Sequence, residues 1–137
     1  MLCLRQRRLE ETIQHAEAAL QLAPRAPMAY LLVANVALGN FRLGRYEEAL
    51  LSSERSLLLN PAFTYALKDR AVILEKMGRR VEALDTLRKL RAAESSVTLE
   101  DLQAGNLAIF YAPEDAAEMN AVLERLWPDA EPDAPTV

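Results

Sequence analysis

Cysteine and histidine are nearly missing from this chain: Cys3 and His15 are the only two residues of these types in 137. One cysteine cannot close an internal disulfide, which fits a reducing compartment, and the cytoplasm is the expected location. A structural zinc site takes about four ligands, so this pair cannot make one. Nor does it form a nucleophilic dyad, because no third group orients it. Neither a metal nor a cofactor is expected. The four glycines do not form a phosphate-cradling loop and read as helix punctuation. No apolar run approaches the roughly 20 residues that span a membrane. Met1-Leu2-Cys3-Leu4 is too short for a secretory apolar region, and arginines follow it instead of preceding it. Positive charge is also scarce: 16 basic side chains face 20 acidic ones, a net charge of −4, which argues against nucleic-acid binding. The acidic pairs Glu10-Glu11, Glu47-Glu48 and Glu114-Asp115 are sequence neighbours. On a helix such neighbours point apart, so they are not acid/base pairs. These absences predict no enzyme and no small-molecule substrate.

The chain does contain an internal repeat. Gly44-Arg45-Tyr46-Glu47-Glu48-Ala49-Leu50 returns as Gly78-Arg79-Arg80-Val81-Glu82-Ala83-Leu84, an offset of 34 residues. That offset is the period of the tetratricopeptide repeat, a helix–turn–helix unit. Gly44 and Gly78 follow a helix and suit the left-handed turn that ends it. Ala37 and Ala71 fall on the first helix of each pair, Ala49 and Ala83 on the second, where small side chains permit close approach. Pro61 cannot continue the helix before it. A degenerate half copy precedes these, closing at Pro24, with Thr12 where the full copies have alanine.

Pro24 to Pro61 spans 37 residues, three more than the period. Either a helix absorbs nearly one turn, or Pro24-Arg25-Ala26-Pro27 is a short extended linker. The bias of pre-proline residues against helix favours the linker. The reading is therefore all-α. A tetratricopeptide-type right-handed solenoid over 1–127 comprises a half repeat (7–24), two repeats (27–61 and 62–95) and C-terminal helices (98–127). Helices are expected near 7–23, 27–43, 46–59, 62–77 and 80–94. Thr98 and Asp101 form a capping box for a short helix, and Pro113-Glu114-Asp115 opens the last one. Met119, Leu123, Leu126 and Trp127 share a face that should cap the solenoid. Residues 128–137, rich in proline and acid, are expected to be disordered.

The order of motifs resembles one branch of tetratricopeptide proteins from about Glu11 to Trp127. It runs through Pro24-Arg25-Ala26-Pro27, the Leu43-to-Leu50 segment, Leu59-Asn60-Pro61, the Gly78-to-Ala83 copy, Val97-Thr98-Leu99 and Pro113-Glu114-Asp115. Repeat regions at the C-terminus of bacterial class III adenylate and guanylate cyclases, and of some winged-helix regulators, are similar. No cyclase catalytic domain is present, so the resemblance implies a regulatory or interaction region and no cyclisation.

Stacked helix pairs curve, and the first helix of each pair lines the concave side. That register predicts an open groove carrying Asn35, Leu38, Arg42, Tyr65, Lys68, Asp69, Val72 and Lys76. The chaperone-type carboxylate clamp is rejected, because Tyr65 and Asp69 stand where basic residues are wanted. A protein or peptide partner is the first expectation. An oligomerising remnant and a regulatory piece of a cyclase-like or transcription-factor system are the alternatives. The half repeat also leaves Leu9, Ile13, Ala16 and Leu20 as a stripe with one side uncovered, which predicts a homodimer edge. The arginines at 5, 7 and 8 read as a solvated helix end.

Overall fold

The structure, a computed structural model, describes residues 4–109 and 113–131. Those residues form seven α-helices and no strand. They are α1 (Leu4–Leu22), α2 (Ala29–Arg42), α3 (Tyr46–Leu59), α4 (Thr64–Lys76), α5 (Arg80–Ala93), α6 (Leu99–Ile109) and α7 (Pro113–Leu126). A short 3-10 turn, Trp127–Asp129, follows. From α1 to α5 each helix packs on the next, and α6 packs on α7.

The 34-residue repeat of the sequence is also a repeat of hydrogen bonds. Gly44 and Gly78 have φ of 78° and 77°. At the first, the Arg45 N–H donates to the Asn40 carbonyl at 2.8 Å; at the second, Arg79 donates to Leu74 at 2.8 Å. The Gly44 and Gly78 N–H groups donate to Phe41 and Glu75, both at 3.0 Å. Each left-handed glycine satisfies carbonyls that the helix end leaves orphaned. The three-residue turns fold α3 back on α2 and α5 back on α4. Ala37, Ala49, Ala71 and Ala83 are wholly buried at these seams, where a larger side chain would overpack the contact. Pro61 lies exposed in the turn between α3 and α4.

Two of the three surplus residues lie in the α1–α2 connection, 23–28 against 60–63, and one in α2, but the connection is a pair of turns and not extended. Ala26 donates to Ala23 at 3.2 Å and Phe63 to Asn60 at 3.1 Å; Ala29 donates to Ala26 at 3.0 Å and Ala66 to Phe63 at 3.1 Å. Pro24-Arg25 therefore occupies the same turn as Pro61-Ala62. The two further residues of the connection, Pro27 and Met28, form a second turn before α2 begins at Ala29. Pro27 does not force extension because the chain winds tightly past it, with Leu31 donating to Met28 at 3.0 Å. A proline at a helix start gives up no helical hydrogen bond.

The stripe on α1 is not exposed. Leu9, Ile13, Ala16 and Leu20 are 6%, 8%, 8% and 4% accessible. Ile13 and Ala16 pack with Val36, and Leu20 with Ala29 and Val33. A stripe this narrow needs only one facing helix, and α2 supplies it, so the expected dimer edge loses its stated basis. Leu2 and Cys3 lie outside the described residues. Two glycines also escape the punctuation reading, since Gly39 is inside α2 and Gly105 inside α6.

The capping box is formed: the Thr98 N–H donates to Asp101 Oδ2 and the Asp101 N–H to Thr98 Oγ1, both at 3.1 Å. On α7, Met119, Leu123 and Leu126 are fully buried in the main core, with Trp127 packed at its edge. Order continues into the segment expected to be disordered, because arginines of α5 hold it. Arg91 stacks on the Trp127 ring at 4.1 Å and donates to the carbonyls of Trp127 and Ala130 at 3.1 and 3.2 Å. Arg80 pairs with Asp129 at 2.6 Å, and Ala130 is completely buried. The rest of that segment, 132–137, lies outside the described residues.

Candidate functional site

The α2–α4 face was expected to be open, and it is largely covered by the chain itself. Arg42, at the end of α2, donates to Asp115 of α7 at 2.9 Å. Lys76, at the end of α4, pairs with Glu118 at 2.6 Å. Lys68 donates to Asn106 of α6 at 2.6 Å. Val72 and Asp69 are buried, and Leu38 is half-buried against the core. Of the eight expected groove residues only Asn35 and Tyr65 are exposed. The reason is that α7 is amphipathic in two senses. Its apolar stripe packs on the last helix pair, α4–α5, as a cap should. Its acidic side reaches further, Asp115 of the first turn to Arg42 at the end of α2 and Glu118, further along the helix, to Lys76 at the end of α4, where helix C-termini favour positive charge. Sequence spacing located each of these residues on its helix; it did not show that they would meet one another.

Beneath the C-terminal helices lies a polar cluster around Lys68 and Asp69, which the sequence places in the groove. Lys68 is 1% accessible and Asn106 is fully buried. Asn106 donates to Asn120 Oδ1 at 2.8 Å, and Lys68 Nζ stands 5.0 Å from the Tyr65 ring centroid. Asp69 Oδ1 lies 3.5 Å from Lys68 Nζ and accepts no hydrogen bond. Burial raises the Asp69 carboxyl above the ordinary range, against the opposing pull of the Lys68 ammonium. With Lys68, Asp69 and Asn106 shut from solvent, the cluster joins α4 to α6. Asn106 and Asn120 carried no sequence signal, because lone asparagines on helices are ordinary.

An open cleft of about 670 Å³ lies elsewhere, between α1 and α3. Glu10, Gln14 and Glu17 form one wall, Glu48 and Leu51 the other, with Ile13 and Asn40 at its base. Next to the cleft, a Cβ on Gly39 would stand 2.8 Å from Ile13 Cγ1, so the missing side chain lets α1 settle onto α2. Arg45 pairs with Glu10 across the cleft. Glu17 and Glu48 make no hydrogen bond or ion pair among the described residues, and Leu51 is 67% accessible. His15 is exposed nearby on α1.

Among the described residues, no three His, Cys, Asp or Glu side chains are grouped to hold a metal ion. No described helix is long and apolar enough to cross a membrane. No protein-family model matches the chain, and no curated protein matches it.

Proposed function

We propose that this chain is a tetratricopeptide-type scaffold of the cytoplasm that binds a protein or peptide partner and catalyses no reaction. The observation that supports this most is the coincidence of two repeats at 34 residues, one in the side chains and one in the hydrogen bonds that end α2 and α4. A unit of that length and shape is suited to building binding surfaces. Since α6 and α7 cover much of the α2–α4 face, the part left for a partner is centred on Asn35 and Tyr65. A flat aromatic such as Tyr65 contributes strongly to interfaces. The order of motifs supports a regulatory setting beside a cyclase or winged-helix protein, which gene neighbourhood tests.

The experiment is site-specific photocrosslinking from Asn35 in the full chain, with the captured polypeptide identified and its affinity measured by calorimetry. The reading expects one saturable partner whose affinity falls with Tyr65→Ala while the thermal melt stays put. A partner bound equally well by Tyr65→Ala, or no saturable partner, overturns it. Failure of α2–α3 to superpose on α4–α5 in a crystal structure overturns the repeat assignment.

A further inference from the structure

We infer that the α1–α3 cleft receives the α1 helix of a second copy of this chain, in an antiparallel two-fold pair. This does not depend on the partner reading above. Arg7, Glu10, Gln14 and Glu17 follow one another at steps of three and four residues, so they share one face of α1. Glu10, Gln14 and Glu17 line the cleft, and Arg7 continues the same face one turn earlier. Arg7 and Glu17 are exposed and make no hydrogen bond or ion pair among the described residues. They cannot satisfy each other within one chain: ten residues of continuous helix separate them, about 15 Å at 1.5 Å per residue.

A second α1 laid antiparallel, centred on Thr12, solves this twice over. Arg7 of each copy then faces Glu17 of the other, and Glu10 of each faces Gln14 of the other. A two-fold axis makes the pairs reciprocal and closes the assembly at two. A register centred two residues earlier would put Glu10 against Glu10, and a parallel pair would put Glu17 against Glu17. Like charges directly opposed disfavour both arrangements. The seated helix also covers Leu51, one of the most exposed large apolar side chains of the protein. Arg8, next along the incoming helix, has an exposed side chain with no hydrogen bond or ion pair among the described residues and supplies a cation on the side of Glu48. The surface differs from the stripe of Leu9, Ile13, Ala16 and Leu20, which α2 uses up.

Sedimentation equilibrium of the full chain, from micromolar to millimolar, tests the inference. A dimer is expected that weakens as salt rises. Arg7→Glu and Glu17→Arg should each weaken it by about tenfold or more, since each reverses two pairs. Mixing these two variants in equal amounts should restore wild-type affinity, because each heterodimer regains two opposite-charge pairs. Leu51→Glu should also weaken it, and circular dichroism should show all three variants folded, as these positions are exposed. A monomer throughout the range overturns the inference. So does a dimer that both charge reversals leave intact, or a mixture that fails to restore affinity.

Discussion

Gly39 and Asp69 show how single atoms set this molecule's tolerances. At Gly39 a new Cβ would meet Ile13 Cγ1 at 2.8 Å, and that atom is fixed in the middle of its side chain. Gly39→Ala should therefore destabilise the fold by about 1–3 kcal/mol despite its better helix propensity. Adding Ile13→Ala should recover part of that loss in a urea melt, because it removes the atom in the way. Asp69 gives a pH dependence of definite sign. Its folded pKa is raised by burial, so the folded chain holds this proton more readily than the unfolded chain. The stability it contributes is complete below the unfolded value and is lost as pH rises through the folded one. Urea midpoints between about pH 4 and pH 7 should thus fall with rising pH more steeply in the wild type than in Asp69→Asn. Parallel curves would show that Asp69 titrates as an ordinary carboxylate. Neither property was legible in the sequence. Gly39 reads there as one more glycine, and Lys68-Asp69 as an exposed charged pair.

At the scale of elements, legibility followed the range of the interactions. The seams between α2 and α3 and between α4 and α5 are local: each left-handed glycine lies seven residues after one buried alanine and five before the other. Their spacing alone placed Gly44, Gly78, Ala37, Ala49, Ala71 and Ala83 correctly. The capping box at Thr98 and Asp101 is equally local and was read equally well. The coverage of the α2–α4 face is not local, since Arg42 and Asp115 are 73 residues apart. No periodicity reports that α7 turns back across α4. The same distinction explains the α1–α3 cleft, whose walls come from different pairs. The C-terminal element should also matter for stability as much as any repeat helix. Leu123 is fully buried in the main core, so Leu123→Ala should cost about 2–5 kcal/mol. A loss under about 1 kcal/mol, the range of surface substitutions, would show α7 to be loosely held.

Across the whole molecule, stability should be graded from one end to the other. The main core runs without a break from Phe41 in α2 to Ala130. By contrast α1 is held through two small clusters, one around Val36 and one around Val33. Fewer buried contacts mean a smaller opening free energy. Native-state hydrogen exchange should therefore find α1 amides opening before those of α4, with fluorescence of the single tryptophan, Trp127, still native-like at that point. Equal protection of α1 and α4 would make the fold one cooperative unit. The C-terminal brace has a further consequence, one of counting. It holds Arg42 at one end through Asp115 and the α5 arginines at the other through Trp127 and Asp129. The α7 rod between these anchors has 14 residues, about 21 Å at 1.5 Å per residue. Stacked helix axes lie about 8–10 Å apart, so one more helix pair between α3 and α4 would carry Arg42 out of reach. A chain of this design measures its own length: an array with one pair too many could not close its last ion pair.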